Sequence, residues 1–236
     1  MMTYQAILFD LDGTLLPMDT EAFTQGYFRL LAKAVAPLGI TPEAMISALW
    51  SGIRAMIGND GRRSNRERFW EVFSAETGVA QALCESICDR FYTEGFHQAR
   101  AFTRDNPLAA EAVRLARQKA DKVILATNPL FPLPGQTTRM SWVGLRPSDF
   151  DLVTSYEGDR FCKPNPAYYQ DICDRLSLNP ARCLMIGNDE REDMLAAHSL
   201  GMAGYLVTDC LLPCPEHPWD GPRGTFANMT AMLRRL

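Results

Sequence analysis

The chain has 236 residues, of which 47% are hydrophobic and 22% are charged, and its formal net charge is −4. This composition is ordinary for a globular protein, and the negative charge argues against a nucleic-acid-binding protein. No apolar run reaches the roughly 18–20 residues that a membrane-spanning helix requires. Residues 1–5 carry no basic side chain ahead of the first apolar run, so we expect no signal peptide and a cytoplasmic location.

The seven cysteines follow no disulfide spacing, which favours free thiols in a reducing compartment. Cys210, Cys214 and His217 lie near one another in the sequence. A structural zinc ion usually takes four protein ligands, and no fourth stands out here. We therefore expect no zinc site.

Residues 1–16 and 104–236 alternate short apolar runs with helical patterns. Each run is flanked by a turn or a helical segment, and the runs cover residues 6–9, 123–126, 152–154, 183–186 and 205–207. Strands that alternate with helices favour βαβ units and a parallel sheet. We expect an α/β core built from these two parts of the chain, with an irregular segment over 210–224 and a closing helix over 226–236.

The segment between these two parts has a different pattern. Helical spacing extends over residues 22–36, 42–57, 65–76 and 79–96, and no run there has the pattern of a strand. This predicts an all-helical domain over residues 17–103 that is inserted after the first strand. Its hinges are expected at 15–19 and 101–107.

The first candidate site residues, Asp10 and Asp12, follow the apolar run at 6–9 and precede Gly13. A carboxylate at the end of a buried strand is costly unless a metal, another cation or chemistry compensates it. Ligands of open α/β sheets bind at the carboxyl ends of the strands. An Asp there can act as a nucleophile, and a second Asp can act as an acid and base. The alternative is a plain Asp-rich turn.

Two further segments supply polar groups that suit a phosphate. Thr127 and Asn128 follow the second apolar run, and the alternative there is an Asn-Pro turn. Lys163 precedes a helical pattern in a chain with 20 Arg and only 4 Lys. A compact ammonium at this position would balance the charge of Asp10 and of a phosphoryl group. The alternative is a solvated lysine.

The fourth segment runs from the apolar strand at 183–186 into Gly187 and a dense acidic turn. Asp189 and Asp193 are four residues apart, so both can face a site from the start of the following helix. Clustered carboxylates repel one another unless a cation lies between them, and Mg²⁺ prefers such oxygen ligands. The alternative is a set of acids that complement the dipole of a helix N-terminus.

Taken in this order, the four segments resemble the motifs of the haloacid dehalogenase (HAD) superfamily. The similarity is closest to its Asp-x-Asp phosphatase branch, in which a helical C1 cap is inserted after the first motif, and it covers essentially the whole chain. The resemblance implies a Rossmann-like core with a parallel sheet, a mobile cap domain, and Mg²⁺ as the cofactor.

The resemblance also implies roles for individual residues. Asp10 would be the nucleophile that accepts the phosphoryl group. Asp12 would protonate the leaving group, then activate water, and would offer its backbone carbonyl to Mg²⁺. Thr127 and Asn128 would bind phosphate, and Lys163 would neutralise charge beside them.

In the last motif the resemblance implies that Asp189 completes the metal site with Asp10, while Asp193 orients the ligands. Many relatives have an acid directly after the glycine of this motif, where this chain has Asn188. Counting back from Asp193 favours Asp189 as the ligand. Whether Asp193 also binds the metal is left open.

The implied reaction is the Mg²⁺-dependent hydrolysis of a small phosphorylated metabolite through an aspartyl-phosphate. Asp12 argues against dehalogenation, because a halide leaves without a proton. Cleavage of a phosphonate needs a cap lysine, and Lys33 is the only candidate. A sugar-phosphate mutase of the β-phosphoglucomutase type and a catalytically idle phosphate-binding or interaction module remain alternatives. The sequence does not reveal the oligomeric state.

Substrate specificity is expected to come from the cap. The segment at 58–66 joins two predicted cap helices and carries Arg62, Arg63 and Arg66. These guanidinium groups are candidates for binding a carboxylate or a second phosphate of the substrate. The alternative is a solvated turn with surface charges.

Aromatic side chains are also frequent in the predicted cap. Trp50, Phe69 and Trp70 occur at helical spacings. Large aromatic side chains at such spacings usually pack in a core. We therefore assign these three to the interior of the cap rather than to a site that stacks on a base or sugar.

Overall fold

The computed structural model describes residues 4–236, so residues 1–3, which we assign to the core, lie outside the described part. Within residues 4–236 six strands form one sheet: β1 (Tyr4–Phe9), β2 (Ala120–Leu125), β3 (Leu152–Val153), β4 (Cys183–Gly187), β5 (Ala203–Val207) and β6 (Arg223–Gly224). Neighbouring strands are parallel, and their order is β3-β2-β1-β4-β5-β6. The predicted α/β fold with a parallel sheet is confirmed.

Strand β1 lies in the interior of the sheet. Its last four residues are fully buried, as expected of a parallel strand that is covered on both faces. Phe9 aligns with Leu125 of β2 on one side and with Ile186 of β4 on the other. The residues that follow these three strands therefore emerge at the same edge of the sheet.

The sixth strand was not expected from the sequence, which predicts an irregular segment over 210–224. The backbone N–H of Leu206 donates to the carbonyl of Pro222 (2.9 Å), and that of Thr208 donates to Gly224 (3.0 Å). These bonds hold the end of the segment against β5 as strand β6. A two-residue strand is too short to show a hydrophobic period.

Between β1 and β2 the chain forms α1 (Thr20–Val35), α2 (Pro42–Ile57), α3 (Asn65–Thr77) and α4 (Gln81–Arg90). The side chains of Asp19, Thr41 and Ser64 each accept a hydrogen bond from a first-turn backbone N–H, which starts α1, α2 and α3. The predicted helical pattern is therefore present. We call residues 17–103 the cap, and its status as a separate domain stays a prediction.

The helix predicted over residues 79–96 is divided in the structure. After α4 the chain widens into a π turn over Phe91–Gly95 and then tightens into a 3-10 helix over Phe96–Phe102. Phe91, Tyr92 and Phe96 are all buried. Adjacent residues of a regular α-helix point about 100° apart, so the altered turns help to bury two adjacent rings.

The chain crosses between the core and the cap at two points that lie side by side. Met18 and Thr103 form an isolated antiparallel bridge. The N–H of Arg104 donates to the carbonyl of Pro17 (2.8 Å). These residues fall within the two predicted hinges, so a rotation of the cap would bend both crossings together.

The core helices are α5 (Ala109–Ala116), α6 (Leu133–Ser141), α7 (Pro166–Leu176), α8 (Ala196–His198) and α9 (Phe226–Arg235). Alternate side chains of β1 pack on opposite faces of the sheet. Ile7 and Phe9 belong to one apolar cluster with α5 and α9, whereas Ala6 and Leu8 belong to another with α7. In the part of the chain that the structure describes, no helix is long and apolar enough to cross a membrane.

Candidate active site

The predicted site residues meet at the carboxyl edge of the sheet. Asp10 follows β1, Thr127 follows β2 and Asp189 follows β4. Together with Asp12 and Asn128 they line one cavity of about 330 Å³ between the core and the cap. This is the edge at which open α/β folds bind their ligands.

Lys163 does not itself line this cavity, but its ammonium joins two acids that do, Asp10 and Asp193. Its Nζ donates to Oδ1 of Asp10 (2.9 Å) and to Oδ1 of Asp193 (2.6 Å), and only 1% of the side chain is exposed. Burial by itself lowers the pKa of Lys163, but the two carboxylates raise it well above its ordinary value. The ammonium therefore stays charged and can offset negative charge at the site.

Lys163 alone does not offset the effect of burial on Asp10. Burial is the largest cause of a raised pKa, Lys163 opposes it, and the carboxylates of Asp193 and Asp12 add to it, so that the pKa of Asp10 is raised to about 8. A carboxylate must be ionised to attack phosphorus. A second cation beside Asp10 would favour the ionised form.

Both carboxylate oxygens of Asp193 accept hydrogen bonds from neighbouring site residues. While Oδ1 pairs with Lys163, Oδ2 accepts the backbone N–H groups of Asn188 and Asp189, both at 3.0 Å. A Cβ at Gly187 would lie 2.1 Å from Oδ2 of Asp193, so this close approach requires glycine. These contacts fit the orienting role implied for Asp193, which stays a prediction.

The turn after β4 places both Asn188 and Asp189 at the cavity, and each side chain is also bonded to neighbouring residues. Oδ1 of Asp189 accepts the N–H groups of Arg191 and Glu192, each at 2.8 Å. Oδ1 of Asn188 accepts the hydroxyl of Thr14 (2.8 Å), and its Nδ2 donates to the carbonyl of Cys210 (2.7 Å). Asn188, which stands where many relatives have an acid, therefore links the loops that contain Thr14 and Cys210, and it also lines the cavity.

Thr127 and Asn128 lie beside Lys163 at the end of β2. The carbonyl of Thr127 accepts the hydroxyls of Thr154 (2.6 Å) and Tyr168 (2.9 Å), which fixes the backbone at this point. Nδ2 of Asn128 donates to Glu192 (3.0 Å). Oδ1 of Asn128 is buried with no hydrogen-bond partner among the described residues. The phosphate-binding roles of both residues stay predictions.

Two residues at the site, Arg139 and Glu192, were not predicted from the sequence. Arg139 of α6 is fully buried; its guanidinium contacts the carboxylate of Asp12 and the amide oxygen of Gln136 and lies 4.0 Å from the ring centroid of Phe131. Glu192 lines the cavity, and burial raises its pKa to about 7. For Arg139 the only signal in the sequence is an arginine beside Met140 on the apolar side of a helix.

Magnesium fits the donor atoms at this edge. Asp10 and Asp189 both line the cavity, and Oδ1 of Asp12 is buried without a hydrogen-bond partner in residues 4–236. No group of three or more His, Cys, Asp or Glu side chains in this range is arranged to hold a metal ion. Mg²⁺ usually takes one or two carboxylates and completes its shell with water and substrate phosphate. The ligand roles of Asp10, Asp12 and Asp189 stay predictions.

The cap arginines lie apart from the cavity. Each forms an ion pair with a carboxylate of the cap. The pairs are Arg62 with Asp60 (3.4 Å), Arg63 with Glu71 (3.1 Å) and Arg66 with Glu85 (2.6 Å). None of the three lines the cavity around Asp10, and neither does the exposed Lys33. A contact between these arginines and a substrate stays a prediction that the present geometry does not favour.

The assignment of Trp50, Phe69 and Trp70 to the cap interior holds for two of the three. Trp70 is 3% exposed and Phe69 packs against the same apolar cluster, whereas 44% of Trp50 is exposed. All three also line the cavity that contains Asp10. Their helical spacing does place them on packed faces of α2 and α3. The same spacing serves a cavity wall equally well, because both are apolar surfaces turned inward.

Comparisons with known proteins give matches over most of the chain. A family model described as haloacid dehalogenase-like hydrolase matches residues 4–201. The chain is 26% identical over 211 residues to a glyceraldehyde 3-phosphate phosphatase of Methanothermobacter thermautotrophicus, covering 86% of this chain and 85% of that protein. It is 23% identical over 206 residues to a phosphoglycolate phosphatase of Neisseria gonorrhoeae, covering 86% and 80%.

One solved structure with the same fold is the HAD-hydrolase YfnB of Bacillus subtilis. Its TM-score is 0.61 at 20% identity, covering 98% of this chain and 99% of that one. YfnB is described as bound to magnesium and as revealing interdomain movement. The similarity extends over both the sheet and the helical insertion of the present chain.

Proposed function

We propose a function from one premise: the chain belongs to the haloacid dehalogenase-like hydrolases. Within that family it acts as a Mg²⁺-dependent phosphatase that hydrolyses a phosphorylated metabolite through an aspartyl-phosphate on Asp10. The observation that carries this proposal is the buried ammonium of Lys163, which bridges Asp10 and Asp193, two carboxylates that line the cavity. A fixed positive charge beside a carboxylate nucleophile is what phosphoryl transfer requires.

The reaction is proposed to proceed in two steps. An oxygen of Asp10 attacks phosphorus and forms an acyl phosphate, while the bond from phosphorus to the substrate oxygen breaks. Asp12 gives its proton to that departing oxygen and then takes a proton from a water molecule. The water oxygen attacks phosphorus, releases inorganic phosphate and restores Asp10.

The surrounding residues support these steps by position and charge. Lys163, Thr127 and Asn128 are proposed to hold the phosphoryl oxygens. Asp10, Asp189 and the backbone carbonyl of Asp12 are proposed to hold Mg²⁺, which supplies charge stabilisation to the transferred phosphoryl group when bound. Asp193 is proposed to keep Lys163 and the turn at Asp189 in place.

Two relatives support the reaction class, because both are named as phosphatases. The magnesium in the description of YfnB supports the cofactor, and the interdomain movement in that description supports a mobile cap. We propose that residues 17–103 close over the substrate by bending the paired crossings at 17–18 and 103–104, which would exclude water from the site.

The test is hydrolysis of p-nitrophenyl phosphate by the purified protein, with Mg²⁺ and with EDTA. We expect turnover with Mg²⁺ and its loss in EDTA or in Asp10→Asn, because the attacking carboxylate is then absent. Asp121→Asn is the matched control, since Asp121 is exposed at the far end of β2. Activity of Asp10→Asn equal to that of wild type would overturn the proposed mechanism.

A further inference from the structure

The cavity extends well beyond the residues that the proposed reaction uses. From Asp10 and Asp189 it continues between α1, α2 and α3 of the cap. Beyond it lies a more open groove of about 1000 Å³, and the two share Phe28, Trp50 and Leu212 as lining residues. A substrate therefore has room for a sizeable group beyond its phosphate.

The wall of this inner cavity is mainly aromatic. Seven of its rings come from three cap helices and from the loop after β2: Phe23, Tyr27, Phe28, Trp50, Phe69, Trp70 and Phe131. Two pairs of these rings pack edge to face, Phe28 with Trp50 at a centroid distance of 5.4 Å and Phe69 with Trp70 at 5.0 Å. Such a surface binds aromatic or other large apolar groups through burial and ring contacts.

The wall of the inner cavity carries no positive charge. Among the described residues that line it there is no Lys, Arg or His side chain, whereas Asp89 and Glu192 are present, and Arg29 and Arg104 line only the outer groove. The guanidinium of Arg139 lies behind Phe131 and is bonded to Asp12. A second anionic group on the substrate would therefore be desolvated beside carboxylates and rings, which is unfavourable.

One neutral polar feature interrupts the aromatic wall. The hydroxyls of Tyr27 and Tyr92 lie 2.6 Å apart, and either can be the donor. Burial raises the pKa of both tyrosines above the ordinary value, so both stay protonated. One of the two hydroxyl protons lies between them, and the other can be donated to a polar atom of a ligand.

We infer that this protein selects phosphate monoesters of bulky aromatic or apolar alcohols and discriminates against esters whose second anionic group lies close to the phosphate, within the inner cavity. The inference rests on the proposed function and deepens it by naming the substrate class. It differs from the substrate in the name of the Neisseria gonorrhoeae relative, phosphoglycolate, which carries a carboxylate. The aromatic wall holds the alcohol while the carboxyl edge of the sheet holds the phosphate.

The test compares two esters that release similar primary alcohols, 2-(1-naphthyl)ethyl phosphate and phosphoglycolate. We expect kcat/KM of wild-type protein with Mg²⁺ to be about 100-fold higher for the naphthyl ester, because the carboxylate finds no cation in the wall. Trp50→Ala should reduce this ratio about tenfold, and Trp50→Phe should retain most of it. Leu83→Ala is the control, since Leu83 is exposed and lies outside both cavities.

A binding measurement tests the apolar site independently of the proposed phosphatase activity. Naphthyl fluorescence reports equilibrium binding of the naphthyl ester to Asp10→Asn, with inorganic phosphate as the competitor. We expect the naphthyl ester to bind about tenfold or more tightly than phosphate. Equal affinity, or hydrolysis of phosphoglycolate at an equal or higher kcat/KM, would overturn the inference. Tight binding of the naphthyl ester with turnover of neither ester would support the apolar site while contradicting the proposed function.

Discussion

Three of the carboxylates that line the cavity, those of Asp10, Asp12 and Asp193, are paired with buried cations. Lys163 lies between Asp10 and Asp193, and Arg139 contacts Asp12. Removing one partner of a buried ion pair leaves the other uncompensated, which is strongly destabilising. The positions of Asp10 and Asp12 therefore depend on two cations, one in the turn before α7 and one on α6.

Arg139 should act as a positioning residue for Asp12. We predict that Arg139→Gln lowers kcat about 10- to 100-fold with little change in KM, because the acid and base is no longer held in place. Arg139→Lys keeps the charge but not the planar fork, so it should recover part of the activity.

The measurement is steady-state hydrolysis of p-nitrophenyl phosphate, with circular dichroism melting to identify loss of folding. Arg114→Gln on the exposed side of α5 is the control. A folded Arg139→Gln protein with wild-type kcat would show that Asp12 does not need this contact.

Residues at strand ends were predictable one by one, whereas Arg139 was not. Asp10, Thr127 and Asp189 each follow an apolar run, and this pattern is visible in the sequence. Arg139 is 127 residues from Asp12, and nothing near it in the chain predicts the contact. Such a pair becomes visible only once the helix has packed against the sheet.

At the scale of secondary-structure elements, the first turn of α3 attaches the cap to the core. The backbone N–H of Asn65 donates to the carbonyl of Asp159 (2.9 Å), and that of Arg66 donates to Tyr156 (2.8 Å). The side chain of Asn65 is fully buried, accepts from Asn59 (2.9 Å) and contacts the thiol of Cys162 (3.3 Å). Cys162 immediately precedes Lys163 in the sequence, so the side chain of Asn65 contacts the segment that carries the site lysine.

We predict that Asn65→Ala weakens the attachment of the cap. Loss of the buried amide lowers the free energy of unfolding by about 1–3 kcal/mol. It also removes the contacts of this side chain with Asn59 of the cap and Cys162 of the core. The backbone amides at positions 65 and 66 should then exchange hydrogen at least tenfold faster, because their acceptors belong to the core. Hydrogen exchange followed by mass spectrometry measures this directly.

The control for this experiment is Asn228→Ala, which changes the first turn of α9 far from the cap. That variant should leave exchange in α3 unchanged. Wild-type exchange at positions 65 and 66 in Asn65→Ala would mean that the cap is held mainly by other contacts.

Elements with a strong hydrophobic period were predictable, and short or irregular ones were not. The buried strand β1 and the capped helix α3 follow from local sequence, since apolar runs and capping residues act locally. Strand β6 and the π turn at Phe91–Gly95 depend on neighbours, β5 in one case and packed rings in the other. Their sequences alone contain no matching signal.

At the scale of the whole molecule, one parallel sheet brings four distant segments to a single edge. The order of β2, β1 and β4 across the sheet places Thr127, Asp10 and Asp189 around one cavity. The fold class followed from the alternation of strands and helices. The aromatic wall did not, because cap interior and cavity wall share the same helical spacing, as Trp50 and Trp70 demonstrate.

The central claim is that Asp10 accepts a phosphoryl group, and trapping that intermediate tests it most directly. Protein mixed with acetyl phosphate and Mg²⁺ is quenched in acid, which preserves acyl phosphates, and its intact mass is measured. The account predicts an added mass of one phosphoryl group on wild-type protein, located by fragmentation at Asp10 and absent from Asp10→Asn. A phosphoryl group located at another residue, or one that persists in Asp10→Asn, would contradict the account.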